Sequence, residues 1–392
     1  METTPGERIA AIRDRRGLTQ LELARLARVS ISMVSKIERG EVSPRMEMLH
    51  KIAKVLRVDT TALTDPARPE PPDATPVERW GDVRAALYRP VPPGDGEPPT
   101  EAGILAVIAS LTAPGGPLAV NRYDRVRAVL PGLIGDAAAL GEDGRAAQAR
   151  AYNMTAWLLT MTRQWDDAAV AARLALDAAP DLVDEGAAVN TMIWMMLRQG
   201  QLAEAGALAD RWATHHQPSI LGAPPSHLSA WGKVMLGATN AAVRDNQPGE
   251  AEGALRRARA AAVLIGREVA LDPSTARTFG PVSVEMIAGE NAAIQERPEQ
   301  VIAVAERIPR AALLHAHSAS RLRSRLDVAN AHVMLKQGEQ AMDVLDAIRN
   351  EAPQWLREQR YARDVATSLG GLWKRRHPER FRVLADAVQL PV

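Results

Sequence analysis

Between Val29 and Glu41 the chain reads VSISMVSKIERGE, three serines and a lysine set among five aliphatic or thioether side chains. At about 100° per residue, a helix over residues 31 to 38 gathers Met33, Val34 and Ile37 on one arc and Ser32, Ser35 and Lys36 on the opposite one. Half of this helix is core. The other half carries hydroxyls and an ammonium, groups that hydrogen-bond and carry charge and that are offered to something outside the core.

A second constellation lies further along. Asn153 and Trp157 recur as Asn190 and Trp194 at an offset of 37 residues, and a spacing of four puts each pair on one helix face. An amide offers donors and an acceptor to a peptide backbone, an indole offers a broad apolar wall, and Arg198, four residues on, can hold a carboxylate. Two readings stand side by side: the indoles pack between helical hairpins, or they line a ligand groove. The histidines lead nowhere comparable. His215 and His216 are adjacent and His315 and His317 form an H-x-H, but no acidic residue stands at a ligand-like spacing, so they read as structural or surface groups and no metal site is expected.

No HExxH, Walker A loop, nucleophile elbow or dinucleotide fingerprint occurs, and Cys is absent, which removes thiolate chemistry, disulfides and cysteine-ligated metals. The reading is of a protein that is not an enzyme and carries no cofactor. The N-terminus is charged from residue 2, and no run approaches the roughly 20 apolar residues of a membrane span, so a soluble, cytoplasmic protein is expected. The net charge of +1 hides an asymmetry: residues 1 to 66 hold 12 Lys and Arg against 9 Asp and Glu, and the remainder 36 against 38. A basic head is compatible with nucleic acid, though a solvated helical surface often shows such an excess.

The elements that must position these residues follow from punctuation and periodicity. Ten of the 27 prolines fall between residues 65 and 100, which reads as a stiff linker. It is interrupted by VERWGDVRAALY, residues 77 to 88, a short helix expected to dock on a neighbouring domain. Ahead of it, five helices fit residues 6 to 16, 19 to 27, 31 to 38, 45 to 56 and 60 to 64, with Thr19 and Ser30 as N-caps and Gly17 and Gly40 as stops. Beyond it the chain is rich in Ala and Leu with helical periodicity and no alternating β-branched runs, so the fold class is all-α.

This larger region repeats. YNMTAWLLTMTRQWDDA aligns with VNTMIWMMLRQGQLAEA, which sets Ala168 against Ala205, and looser copies centre on Ala251, Val301 and Ala341. Pro180 and Pro353 lie 12 residues beyond Ala168 and Ala341, where a second helix would end. Small residues at such periods indicate stacked helical hairpins.

The first 66 residues resemble the helix-turn-helix domain of the XRE, or Cro/repressor-like, family of bacterial regulators. The likeness lies in Arg13, GLTQLELARLA (17 to 27), VSISMVSKIERGEVSP (29 to 44) and MLHKIAKVL (48 to 56). It departs from the family at Arg28, where Gly is usual; a left-handed turn there would cost about 1 kcal/mol. The resemblance implies that the third helix enters the major groove, with Ser32, Ser35 and Lys36 toward base edges and Ile31 able to touch a thymine methyl. It implies phosphate contacts for Gln20, Arg39 and Arg45, and a protein that dimerises on a double-stranded operator.

Residues 145 to 355 resemble tetratricopeptide repeats. TFGPVSV (278 to 284), RLDVANAH (325 to 332) and EAPQWLREQR (351 to 360) also resemble the C-terminal region of actinobacterial regulators that join the two modules. In that repeat family Asn153, Trp157, Asn190, Trp194 and Arg198 would line the concave surface, as a groove for a peptide or small-molecule effector. The expected organisation is a five-helix helix-turn-helix domain over residues 1 to 66, a Pro-rich linker with a short helix over 67 to 100, and a helical-repeat solenoid over 101 to 392. The function expected is sequence-specific transcriptional regulation, with a repeat domain that dimerises, senses a peptide or small-molecule effector, or does both. The competing reading is a protein-interaction module, such as an antitoxin or adaptor, with secondary DNA binding.

Overall fold

Local signals set the first helices. Thr4 and Glu7 form a reciprocal capping box at the start of α1 (Pro5–Arg15), and Thr19 and Glu22 form another at the start of α2 (Gln20–Leu26). The Ser30 hydroxyl accepts from the Met33 N–H and opens α3 (Ile31–Glu38), which Gly40 ends at φ 73°. α4 (Met46–Leu56) and a 3-10 turn (Thr60–Leu63) complete the set. Ile9, Leu23, Val34, Ile37, Ile52 and Leu63 are fully buried among them. α1 crosses the end of α3 so closely that a Cβ at Gly6 would stand 2.0 Å from the Ile37 carbonyl oxygen, so only glycine fits.

The computed structural model describes residues 4–16, 18–56, 58–63, 80–90, 98–113, 115–120, 122–219, 222–271, 274–275, 277–314, 316, 318–373 and 377–390. The expected stop at Gly17 and most of the Pro-rich linker lie outside them. So does Val77, but the helix foreseen there is present as α5 (Gly81–Tyr88). Trp80, Val83 and Leu87 are buried, and Arg84 and the Tyr88 hydroxyl both donate to the Asp167 carboxylate, at 2.8 and 3.2 Å.

After α6 (Glu101–Thr112) and α7 (Tyr123–Ala139) the chain forms helical hairpins. These are α8 (Arg145–Met161) with α9 (Trp165–Ala178), α10 (Leu182–Gln199) with α11 (Leu202–His215), and α12 (Pro225–Arg244) with α13 (Pro248–Ile265). Then come α14 (Pro281–Ile294) with α15 (Pro298–Arg307), a short α16 (Arg310–Leu313), and α17 (Ser318–Met334) with α18 (Gly338–Glu351). The chain closes with α19 (Pro353–Glu358), α20 (Arg360–Trp373) and α21 (Pro378–Ala387). Among the described residues the only extended pairing is an isolated antiparallel bridge between Val269 and Phe279. None of these helices is long and apolar enough to cross a membrane.

One turn is used five times. Arg163, Gly200, Asn246, Glu296 and Lys336 each take a left-handed φ of 58–79° between the two helices of a hairpin. In each case the next N–H reaches back to the first helix, for example Gln164 to the Leu159 carbonyl at 2.9 Å and Gln247 to Ala242 at 2.8 Å. This satisfies carbonyls that a helix end would otherwise leave open. Five residues beyond each turn stand Ala168, Ala205, Ala251, Val301 and Ala341, all buried, where the two helices of each hairpin pack. The five copies aligned from the sequence are therefore five hairpins in one register.

Contacts group the chain into two compact units, Met1–Ala109 with Arg127–Ala258, and Ser110–Val126 with Arg259–Val392. The first holds the N-terminal helices, two whole hairpins, and α12 with the first part of α13. In the second, Leu326, Leu345, Leu356 and Leu369 share a core, and Ser318 donates to the Ala119 carbonyl at 2.7 Å. Arg380 on α21 bridges Asp343 and Asp346 on α18, each at 2.6 Å.

Candidate nucleic-acid interface

The turn between α2 and α3 decides where α3 points. Arg28 stands at φ 54°, the Val29 N–H bonds the Ala24 carbonyl at 2.9 Å, and the Arg28 N–H bonds Arg25 at 3.3 Å, so α2 ends in a Schellman turn. A side chain in this conformation costs about 1 to 2 kcal/mol. Arg28 is exposed, so its side chain repays little in packing. Arg28→Gly should accordingly stabilise the domain by about 1 kcal/mol, read by equilibrium denaturation; an unchanged or lowered stability would show the turn to be unstrained.

On α3, Val34 and Ile37 are sealed in the core, while Ile31, Ser32 and Lys36 are exposed and Ser35 is half-buried. Arg39 and Arg45 are exposed on either side of the following loop; the Arg39 guanidinium rests against Ser35 and Glu41. Arg25 and Arg28, also exposed, add cations around the turn that spacing alone did not single out.

The inner end of α3 is clamped. Glu38 accepts Arg13 Nε at 2.7 Å and Arg13 Nη2 at 3.0 Å, while Arg13 Nη1 donates to the Leu18 carbonyl at 2.8 Å. The paired carboxylate holds the Arg13 guanidinium pKa above its ordinary value. Gln20 joins this cluster, its Nε2 donating to Glu38 Oε2 at 2.8 Å. The amide expected at a phosphate thus also ties the start of α2 to the end of α3.

In the repeat region Trp157 and Trp194 come together as a stack, ring centroids 5.9 Å apart and planes 19° from parallel, and the Arg198 guanidinium lies 5.4 Å over the Trp194 ring. Asn153 is only 2 % exposed and Trp157 5 %, whereas Asn190, Trp194 and Arg198 are half-buried. Folding also brings an acid to one histidine: His216 Nε2 lies 3.2 Å from Glu185 Oε1, which accepts Trp212 Nε1 at 2.8 Å. No group of three or more His, Asp or Glu is placed for a metal among the described residues, and His315 and His317 lie outside them.

Residues 9–63 match the Helix-turn-helix family model. The chain is 35 % identical over 69 residues to the HTH-type transcriptional regulator PuuR of Escherichia coli (strain K12), 17 % of this chain and 37 % of that protein. It is 40 % identical over 60 residues to the immunity repressor protein of Bacillus phage phi105, 15 % of this chain and 42 % of that one. The chain thus spans about two fifths of the length of the curated relatives it matches. A solved structure, Bacillus thuringiensis PlcR in complex with the peptide PapR7 and DNA, aligns over 88 % of this chain and 99 % of its own at 15 % identity and a TM-score of 0.33. Capped, clamped and matched over the same span, residues 9–63 are a helix-turn-helix domain.

Proposed function

We propose that the protein is a sequence-specific DNA-binding transcriptional regulator, without enzymatic activity, acting in the cytoplasm as a homodimer on a double-stranded operator. The observation that carries this reading is the exposed Ser32 and Lys36 on a short helix whose opposite face, Val34 and Ile37, is wholly buried. With α3 in the major groove, Lys36 donates to guanine O6 or N7, Ser32 and Ser35 donate or accept, and Ile31 meets a thymine methyl. Arg39 and Arg45 neutralise phosphates, and Gln20 offers its second amide N–H. The regulators among the relatives support this assignment. In the repeat region Asn190, Trp194 and Arg198, with Asn153 and Trp157 behind them, are our candidates for an effector groove, suited to a peptide or a small amphipathic molecule.

The test is selection of bound duplexes from a random pool with the full chain. Enrichment of a roughly palindromic site is expected, its half-sites about one helical turn, roughly 34–36 Å, apart. Ser35→Ala or Lys36→Ala should change base preference at one position per half-site. Arg45→Ala should weaken all sites alike and lower the salt slope by about 1. A pool with no enriched motif would transfer the function to protein interaction through the repeats.

A further inference from the structure

The last turn of α12 touches the helix-turn-helix domain through exchanged helix caps. The Arg244 carbonyl, one of the acceptors that a helix end leaves open, receives the Thr60 hydroxyl at 2.6 Å and His50 Nδ1 at 2.8 Å. A carbonyl only accepts, so this histidine nitrogen carries its proton. In return the Asp245 carboxylate caps the 3-10 turn Thr60–Leu63: Oδ1 accepts the Thr61 N–H at 2.8 Å and Oδ2 the Thr61 hydroxyl at 3.1 Å. Asn246 Nδ2 adds a bond to the Val58 carbonyl at 3.4 Å. One hairpin away, a Cβ at Gly200 would stand 2.5 Å from Met46 Sδ, so the turn after α10 also abuts the first residue of α4.

These are not incidental surface contacts. Asp245 is 4 % exposed and Thr60 fully buried. The same turn of α12 belongs to the repeat face: Asn240 stands eleven residues before Ala251, as Trp157 stands before Ala168 and Trp194 before Ala205, and Arg244 repeats the place of Arg198. Arg244 Nη1 binds Asn240 through both its carbonyl and its Oδ1, at 3.1 and 3.2 Å.

We propose that Asp245, with His50, Thr60 and Thr61, is a rigid joint that fixes the placement of the reading helix on the repeat region, so that the spacing between half-sites is read by the protein rather than tolerated. Asp245 is a positioning residue in this scheme: it touches no DNA and acts through the 3-10 turn and α4. The inference rests on the DNA-binding, dimeric reading given above. A loosened joint would let each domain swing, and the dimer would accept half-sites at altered separations.

The experiment compares the full chain with Asp245→Ala and Asp245→Asn. Burial raises the Asp245 carboxyl pKa above its ordinary range, so the negative charge itself is disfavoured there, and a carboxamide keeps an acceptor for the Thr61 N–H. Amide exchange is expected to quicken about tenfold or more over residues 58–63 in Asp245→Ala, with residues 23–37 unchanged, and to stay near the wild-type rate in Asp245→Asn. On duplexes carrying the selected half-sites with one to five base pairs inserted or removed, the wild type and Asp245→Asn should discriminate about tenfold or more, and Asp245→Ala should lose most of that discrimination. Unchanged exchange over 58–63, or an Asp245→Ala variant that keeps the full spacing preference, overturns the joint. If no duplex is bound at all, wild type and variants fail alike; that defeats the regulator reading and this role with it.

Discussion

Glu38→Ala should lower the stability of the helix-turn-helix domain by about 2 to 3 kcal/mol, because it removes the shared acceptor of three part-buried hydrogen bonds, two of them charge-assisted, and leaves Arg13 only Asp14 and the Leu18 carbonyl. The Glu38 side chain is 6 % exposed and receives three donors, two from Arg13 and one from Gln20. Alanine leaves the guanidinium and the amide without this acceptor in a site that water barely reaches. Glu38→Gln keeps an oxygen acceptor and loses the charge, so its cost should be nearer about 1 to 2 kcal/mol. Amide exchange over residues 5–63 measures both, and is needed because the first tryptophan in the chain is Trp80. DNA binding should fall in parallel, since the clamp holds α3 against α1 and α2. A loss under about 1 kcal/mol for Glu38→Ala would place this pair among the weak surface ion pairs.

Trp157→Ala should cost about 3 to 5 kcal/mol, the usual range for truncating a buried large aromatic. The indole is almost fully enclosed and stacks on Trp194, so both the transfer term and the ring contact are lost. Trp194→Ala should cost less, because that ring is only half-buried, and a double-mutant cycle should return a coupling of about 0.5 to 1.5 kcal/mol. Thermal unfolding of the full chain, followed by tryptophan fluorescence, gives all three values. A Trp157→Ala cost below about 1 kcal/mol would mean that the indole does not hold the hairpins together. With Asn153 also buried, the ligand-facing part of the proposed groove narrows to Asn190, Trp194 and Arg198, and Asn190→Ala or Arg198→Ala should alter an effector response with little change in melting.

What could be read from the chain alone is what short-range physics controls. The bounds of α3, residues 31 to 38, followed from an apolar arc of three side chains and one serine cap, interactions that span four residues or fewer. The capping residues Thr19 and Ser30 were legible for the same reason. The hairpin register was legible at Ala168, Ala205, Ala251, Val301 and Ala341 because close helix crossings demand small or slim side chains wherever they fall. The turn five residues earlier was mostly not: Gly200 and, more weakly, Asn246 announce a left-handed conformation, while Arg163, Glu296 and Lys336 adopt it because the fold returns the hydrogen bonds.

Tertiary structure decided everything that joins distant segments. Gln20 has the chemistry of a phosphate ligand, but only the approach of α2 to α3 shows that it first answers Glu38, 18 residues away. Composition could not say that Trp157 and Trp194 would spend their faces on each other, since an indole is equally suited to a wall and to a core. Nor could any local pattern join Thr61 to Asp245 across 184 residues, or His50 to Arg244 across 194. Such pairs carry no periodicity and no cap signature. They exist because the ends of two helices, each with unsatisfied backbone groups, are brought by the packing of other residues to a distance at which each completes the other.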